Sequence, residues 1–118
     1  MPMKNLSIAG RIAFAIPMIA FGVFHFILSD SFASKLPVSN AYFLIYLTGL
    51  VLIVTGGAIA LNKMVKPAAL LLAMFLSLFA IVIHLNAMLN GHTDSFSDFF
   101  KDFGLAGAAL YFSATGKD

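Results

Sequence analysis

At 118 residues, 61% hydrophobic and only 10% charged, with a mean hydropathy of +0.99, this chain has too few polar side chains to cover a water-facing surface. Soluble domains are about half apolar and about a quarter charged, so the composition points to an integral membrane protein. The net charge of +2 forms no basic stripe that would suit nucleic acid, and with no cysteine the chain can carry neither a disulfide nor a thiol relay nor an iron–sulfur cluster of its own.

Four apolar stretches are each long enough to cross about 30 Å of hydrocarbon at about 1.5 Å per residue. The first covers about 8–28 and is closed by "SDSFASKLPVSN", with Asp30, Lys35 and Pro37. It is too long for a signal-peptide core, and three further spans follow it. The second covers 41–61 and stops at "NKMVKP". The third covers 67–89, with Pro67 suited to a first helical turn, where its missing N–H costs nothing. The fourth covers 95–114, with Thr93 or Asp94 as the expected N-cap. No period of about 20–50 residues signals a repeat array. Short connections predict a single all-α domain over 1–118, an antiparallel four-helix bundle embedded in the membrane.

Basic residues set the orientation. Lys4, Arg11, Lys63, Lys66 and Lys117 share one side of this topology, whereas Lys35 and Lys101 share the other with Asp30, Asp94, Asp98 and Asp102. Both termini are therefore expected in the cytoplasm, with the chain crossing the inner (plasma) membrane. Tryptophan is absent, so tyrosine, phenylalanine and lysine must anchor the interfaces.

At about 100° per residue, Arg11, Ala15, Met18, Gly22 and His25 form one stripe of the first helix. Tyr42, Tyr46, Gly49, Ile53 and Gly56 form the comparable stripe of the second, and Ala73, Ser77, Ala80 and His84 that of the third. On the fourth, Asp102, Ala106, Ala109 and Ser113 share a face. Pro17 removes the donor for the Ala13 carbonyl and should bend the first helix. Gly104, Gly107 and Ala108 should allow a neighbour close to the fourth helix.

His25, His84, Lys101 and Asp102 all fall in the outer half of the expected bilayer. Lys101 and Asp102 diverge on their helix, so Asp98 is the better partner for Lys101 at i,i+3. That leaves Asp102 to meet His25 or His84. An ionisable group within a span costs about 2.5–3.5 kcal/mol on insertion scales and reads as functional by default. Structural readings stand beside this one. Arg11 can snorkel, the histidines can merely bond helix to helix, and Lys101 with Asp102 can pin the fourth helix. Tyr42, Tyr46 and Tyr111 read as interfacial belt residues, and most of the thirteen phenylalanines as lipid-facing bulk.

The segments "GRIAFAIPMIAFGVFHF", "YLTGLVLIVTGGAIALNK" and "KDFGLAGAAL", in that order, resemble the DoxX-like family of small four-helix membrane proteins. The resemblance spans nearly the whole chain. It matches Arg11 to an early arginine, Gly56 and Gly57 to helix-two glycines, and Lys101, Gly104 and Gly107 to a fourth-helix motif in which Asp102 takes a position often held by asparagine. The histidines are not assigned by the family. The resemblance implies quinone-dependent oxidation chemistry or membership of a membrane oxidoreductase complex, while the missing cysteine argues against a thiol mechanism.

The leading functional expectation is a quinone-linked oxidoreductase subunit. Asp102, His84 and His25 are its candidate catalytic residues, and Lys101, His25, His84, Tyr46 and Arg11 its candidate cofactor-binding residues. Donors would meet the quinone carbonyls, Asp102 would move protons, and phenylalanines would line a slot for the tail. The alternative is a non-catalytic accessory or assembly subunit. Haem or metal ranks last, because two histidines lack the third protein ligand a catalytic zinc wants, and only His92 or Asp94 of a loop could add one. Four helices leave little room for a pore. The expected partners are the lipid bilayer and either another membrane protein or further copies of the chain.

Overall fold

The computed structural model describes residues 2–36, 38–93, 95–116 and 118. All regular structure among them is helical: α1 (Met3–Ile27), α2 (Ser29–Ala33), α3 (Ala41–Ala60), α4 (Val65–Leu78), a π-helical segment (Phe79–Leu85), α5 (Asn86–Leu89) and α6 (Ser95–Thr115). Three continuous helical stretches, Met3–Ile27, Ala41–Ala60 and Val65–Leu89, are long and apolar enough to cross a membrane. Helices suit such sequences because every backbone donor and acceptor is satisfied within the segment. The fourth expected span is helical throughout as α6, but it carries Asp98, Lys101 and Asp102 in its first half.

The observed boundaries differ from the expected ones chiefly at chain turns. α1 starts five residues before position 8, because helix formation continues through polar Lys4, Asn5 and Ser7. It runs through Pro17 to Ile27, where Leu28 leaves the helical region (φ −106°, ψ 31°) and α2 begins. The turn into α4 uses left-handed backbone at Asn62 (φ 57°) and Met64 (φ 51°). Pro67 then lies in the first turn of α4, as its chemistry requires. Pro37, Asp94 and Lys117, which entered the loop, capping and orientation expectations, lie outside the described residues.

The chain forms two compact units, Met1–Lys63 and Met64–Asp118. In the first, α1 and α3 run antiparallel, with Gly22 against Gly49 and Ala15 against Gly56. A Cβ built on Gly22 would lie 2.7 Å from the Gly49 carbonyl oxygen, and one on Gly49 would lie 2.9 Å from that of Gly22. Two backbones this close exclude any side chain between them. Ala15, Met18 and Gly22 are buried, as the α1 stripe predicts.

The α3 stripe is turned from its expected direction. Ala41, Ile45, Thr48, Gly49, Leu52, Thr55, Gly56 and Ile59 are the buried residues, whereas Tyr42 and Tyr46 are exposed. α3 is apolar on all sides, so its sequence carries little directional signal, and its two glycines set the contact. Thr55 does not leave its hydroxyl unsatisfied there: Oγ1 donates to the Val51 carbonyl at 2.6 Å.

In the second unit, α4 and the π-helical segment pair antiparallel with α6. Ser113 Oγ donates to the Lys66 carbonyl at 2.8 Å, and Lys66 Nζ donates to the Ala114 carbonyl at 3.2 Å, which fixes one end. Val65, Ala69, Leu72, Ala73, Leu76 and Ala80 pack against Asp102, Ala106 and Ala109 along the same seam. The expectation that Gly104 and Gly107 form the close contact is corrected here. Both are exposed, and a Cβ on either meets nothing within 4 Å among the described residues. Alanines at 106 and 109 take the buried positions instead.

Candidate functional site

The π-helical segment carries the third-helix histidine. Its sequence, FAIVIHL, has the β-branched bulk of an ordinary membrane helix, yet hydrogen bonds there close at i→i+5. More than four residues then make one turn, so His84 falls just short of a full turn beyond buried Ala80 instead of overshooting it. Such segments occur frequently at functional sites.

From that position His84 Nε2 lies 3.0 Å from Asp102 Oδ2, with the two side chains 22% and 10% exposed. The α6 stripe brings Asp102 here, since Ala106 and Ala109 on the same face are also buried. A single hydrogen between imidazole and carboxylate can reside on Nε2, which then donates to Oδ2, or on Oδ2, which then donates to Nε2. Either form keeps the contact. The pair can therefore hold a proton in either direction without losing its geometry.

Lys101, one position away, turns toward the outside. Its Nζ lies 3.5 Å from Asp98 Oδ1, and both side chains are half exposed. The divergence of adjacent helical residues thus splits the two charges, one buried beside a histidine and the other at the surface beside a carboxylate. Along the same α4–α6 seam, Ala73, Met74, Ser77 and Ile81 face Leu110 across a shallow groove of about 360 Å³. Its lining is almost wholly apolar.

The remaining candidates belong to the first unit. His25 Nδ1 donates to the Phe21 carbonyl at 2.6 Å, and its ring rests against Phe32 with centroids 4.8 Å apart. A carbonyl cannot donate, so the contact requires the hydrogen on Nδ1. Tyr46 donates from its hydroxyl to Ser29 Oγ at 3.3 Å and stacks on Phe26 at 5.5 Å. Arg11 is partly buried, and its Nε is buried without a hydrogen-bond partner among the described residues. The six candidates therefore divide, with His84, Lys101 and Asp102 in one unit and Arg11, His25 and Tyr46 in the other.

Sequence reasoning passed over one arrangement. The Tyr42 hydroxyl donates to Asp30 Oδ1, and Ser29 is buried under Tyr46. These tyrosines are exposed, as belt residues would be, but their hydroxyls are committed to α2. The available signal was a Tyr-x-x-x-Tyr pair on one helical face opposite the acidic "SDS" that leaves the first helix. The π-helical winding had no comparable signal.

Compared with family models, curated proteins and solved structures, the chain matches none.

Proposed function

We propose that this chain is a four-span membrane protein in which His84 and Asp102 form a proton-handling pair serving a quinone-linked oxidoreductase. The observation that carries the reading is the 3.0 Å contact between a largely buried carboxylate and a histidine in a π-helical segment. Keeping an ionisable pair within apolar helices is costly. A merely structural fastening of α6 to α4 could use leucine and alanine, as the rest of the seam does.

A quinone suits this pair chemically. The partly exposed imidazole edge of His84 can donate to a carbonyl oxygen while Asp102 holds it in place and supplies or takes up the proton. The groove past Ile81 continues the seam with apolar lining fit for an isoprenoid tail. A quinone bound there would carry the electrons, and a partner protein would exchange them, because the chain has no cysteine for an iron–sulfur cluster. Lys101, at the edge of the cluster, would favour negative charge developing near the pair. The resemblance to the DoxX-like family favours the same chemistry.

The proposed topology places α6 as the fourth span, its charged first half at the outer side, and both termini in the cytoplasm. Organic extraction of protein purified in a mild detergent tests the functional reading. Bound quinone should be recovered from the wild type and reduced in amount from His84→Leu at equal yield and helicity. Quinone-free wild-type protein with intact fold would count against it.

A further inference from the structure

Ser77 puts a hydroxyl into the groove of the second unit, which is otherwise lined by alanine, leucine, isoleucine and methionine. The residue is half-buried and makes no hydrogen bond among the described residues. Hydroxyls inside helices commonly bond back to the carbonyl four residues earlier. Thr55 and Thr115 do so, to Val51 at 2.6 Å and to Tyr111 at 2.8 Å, and Ser113 reaches the Lys66 carbonyl at 2.8 Å. Ser77 does not use Ala73 in this way, so its donor is left for whatever occupies the groove. A hydroxyl in hydrocarbon without an acceptor is costly, and an alkyl chain offers none.

Ser77 precedes His84 by about two turns, roughly 10 Å, on one continuous helical stretch. Ile81, which lines the groove, lies between them. Helical side chains lean toward the helix N-terminus, so His84 leans toward Ser77 and shortens the gap. A para-quinone has its carbonyls at opposite ends of one ring, and with a hydrogen bond of about 2.8 Å at each end it spans that gap. An ortho-quinone, with both carbonyls on one edge, does not. An isoprenoid tail is attached beside one carbonyl. With that carbonyl at Ser77 the tail continues along the groove toward Met74 and Leu70. With the ring reversed the tail would leave the groove at His84.

From this we infer that Ser77 is the second donor of the quinone site. Its hydroxyl binds the tail-side carbonyl of a para-quinone whose other carbonyl meets His84. The inference rests on the proposed quinone reading of His84 and Asp102, and adds the class of quinone and its direction in the groove.

The test loads full-length protein in mild detergent with a short-chain prenylated para-benzoquinone carrying carbon-13 at one carbonyl or the other. Infrared difference spectra then report each carbonyl separately. In the wild type both bands should lie below those of the free quinone in the same detergent, as hydrogen bonding requires. Ser77→Ala should return the tail-side band toward its free position and leave the other in place, with affinity about three- to tenfold weaker. Alanine favours the helix at this position, so the fold should persist. Ser77→Thr keeps the hydroxyl and should restore both band and affinity. A tail-side band that does not respond to Ser77→Ala, or a response confined to the other carbonyl, would overturn the inference and leave the His84–Asp102 reading standing. Failure of Ser77→Thr to restore what Ser77→Ala loses would also overturn it. Absence of quinone binding by the wild type would defeat that reading and the inference together.

Discussion

Asp102 Oδ2 and His84 Nε2 lie 3.0 Å apart while Lys101, the next residue, is 3.5 Å from Asp98 at the surface. Two adjacent charges thus serve opposite faces of one helix. Asp102→Asn should keep the fold, because the amide can still bond to the imidazole, with a loss of about 1 kcal/mol or less. Asp102→Leu leaves His84 without its partner in a partly buried position and should cost about 1–3 kcal/mol. Thermal unfolding in detergent distinguishes the two. Equal stability of both variants would show that the contact contributes nothing to the fold.

α1 and α3 come close together at Gly22 and Gly49, where a Cβ on either would lie 2.7–2.9 Å from backbone oxygen. Gly49→Ala should push α1 from α3 and destabilise the first unit by about 1–3 kcal/mol. Gly107→Ala meets open space and should be neutral, or stabilising by up to about 1 kcal/mol through helix propensity. Denaturant or thermal unfolding of the two variants should therefore move in different directions.

Tyr42 gives a smaller effect because its ring is exposed. Removing the hydroxyl in Tyr42→Phe should lower stability slightly through the lost bond to Asp30. In Asp30→Asn the same hydroxyl removal should matter less. A double-mutant cycle with no coupling would mean that the two side chains act independently.

The distribution of lysine and arginine predicts that both termini lie in the cytoplasm. A reporter active only in the cytoplasm should function when fused to the C-terminus, and one active only outside should not. The reverse pattern would invert the topology.

Parts of this structure are legible in the sequence and others are not, for physical reasons. The stripe through Ala15, Met18 and Gly22 and that through Asp102, Ala106 and Ala109 emerge because each helix has one distinctive face. α3 has none, with a mean hydropathy of 2.2 over its apolar window, so Tyr42 and Tyr46 fall in one stripe with Gly49 and Gly56 although only the glycines of the four are buried. The small residues of α6 misled differently: Gly104 and Gly107 permit close approach without requiring it. Which of His25 and His84 meets Asp102 is open in the sequence, but that Lys101 meets Asp98 follows from helical spacing. The π-helical winding under His84 does not, because Phe79–Leu85 contains nothing that α-helical winding would refuse.

The central claim, that His84 and Asp102 handle the proton of a bound quinone, meets its most direct test in a redox-induced infrared difference spectrum. Protein reconstituted with quinone and an electron donor would be compared with Asp102→Asn under the same conditions. A carboxyl band that changes on quinone reduction in the wild type and is missing from the variant is the predicted result. Spectra that coincide in the carboxyl region, with quinone bound and reduced in both, would contradict the account.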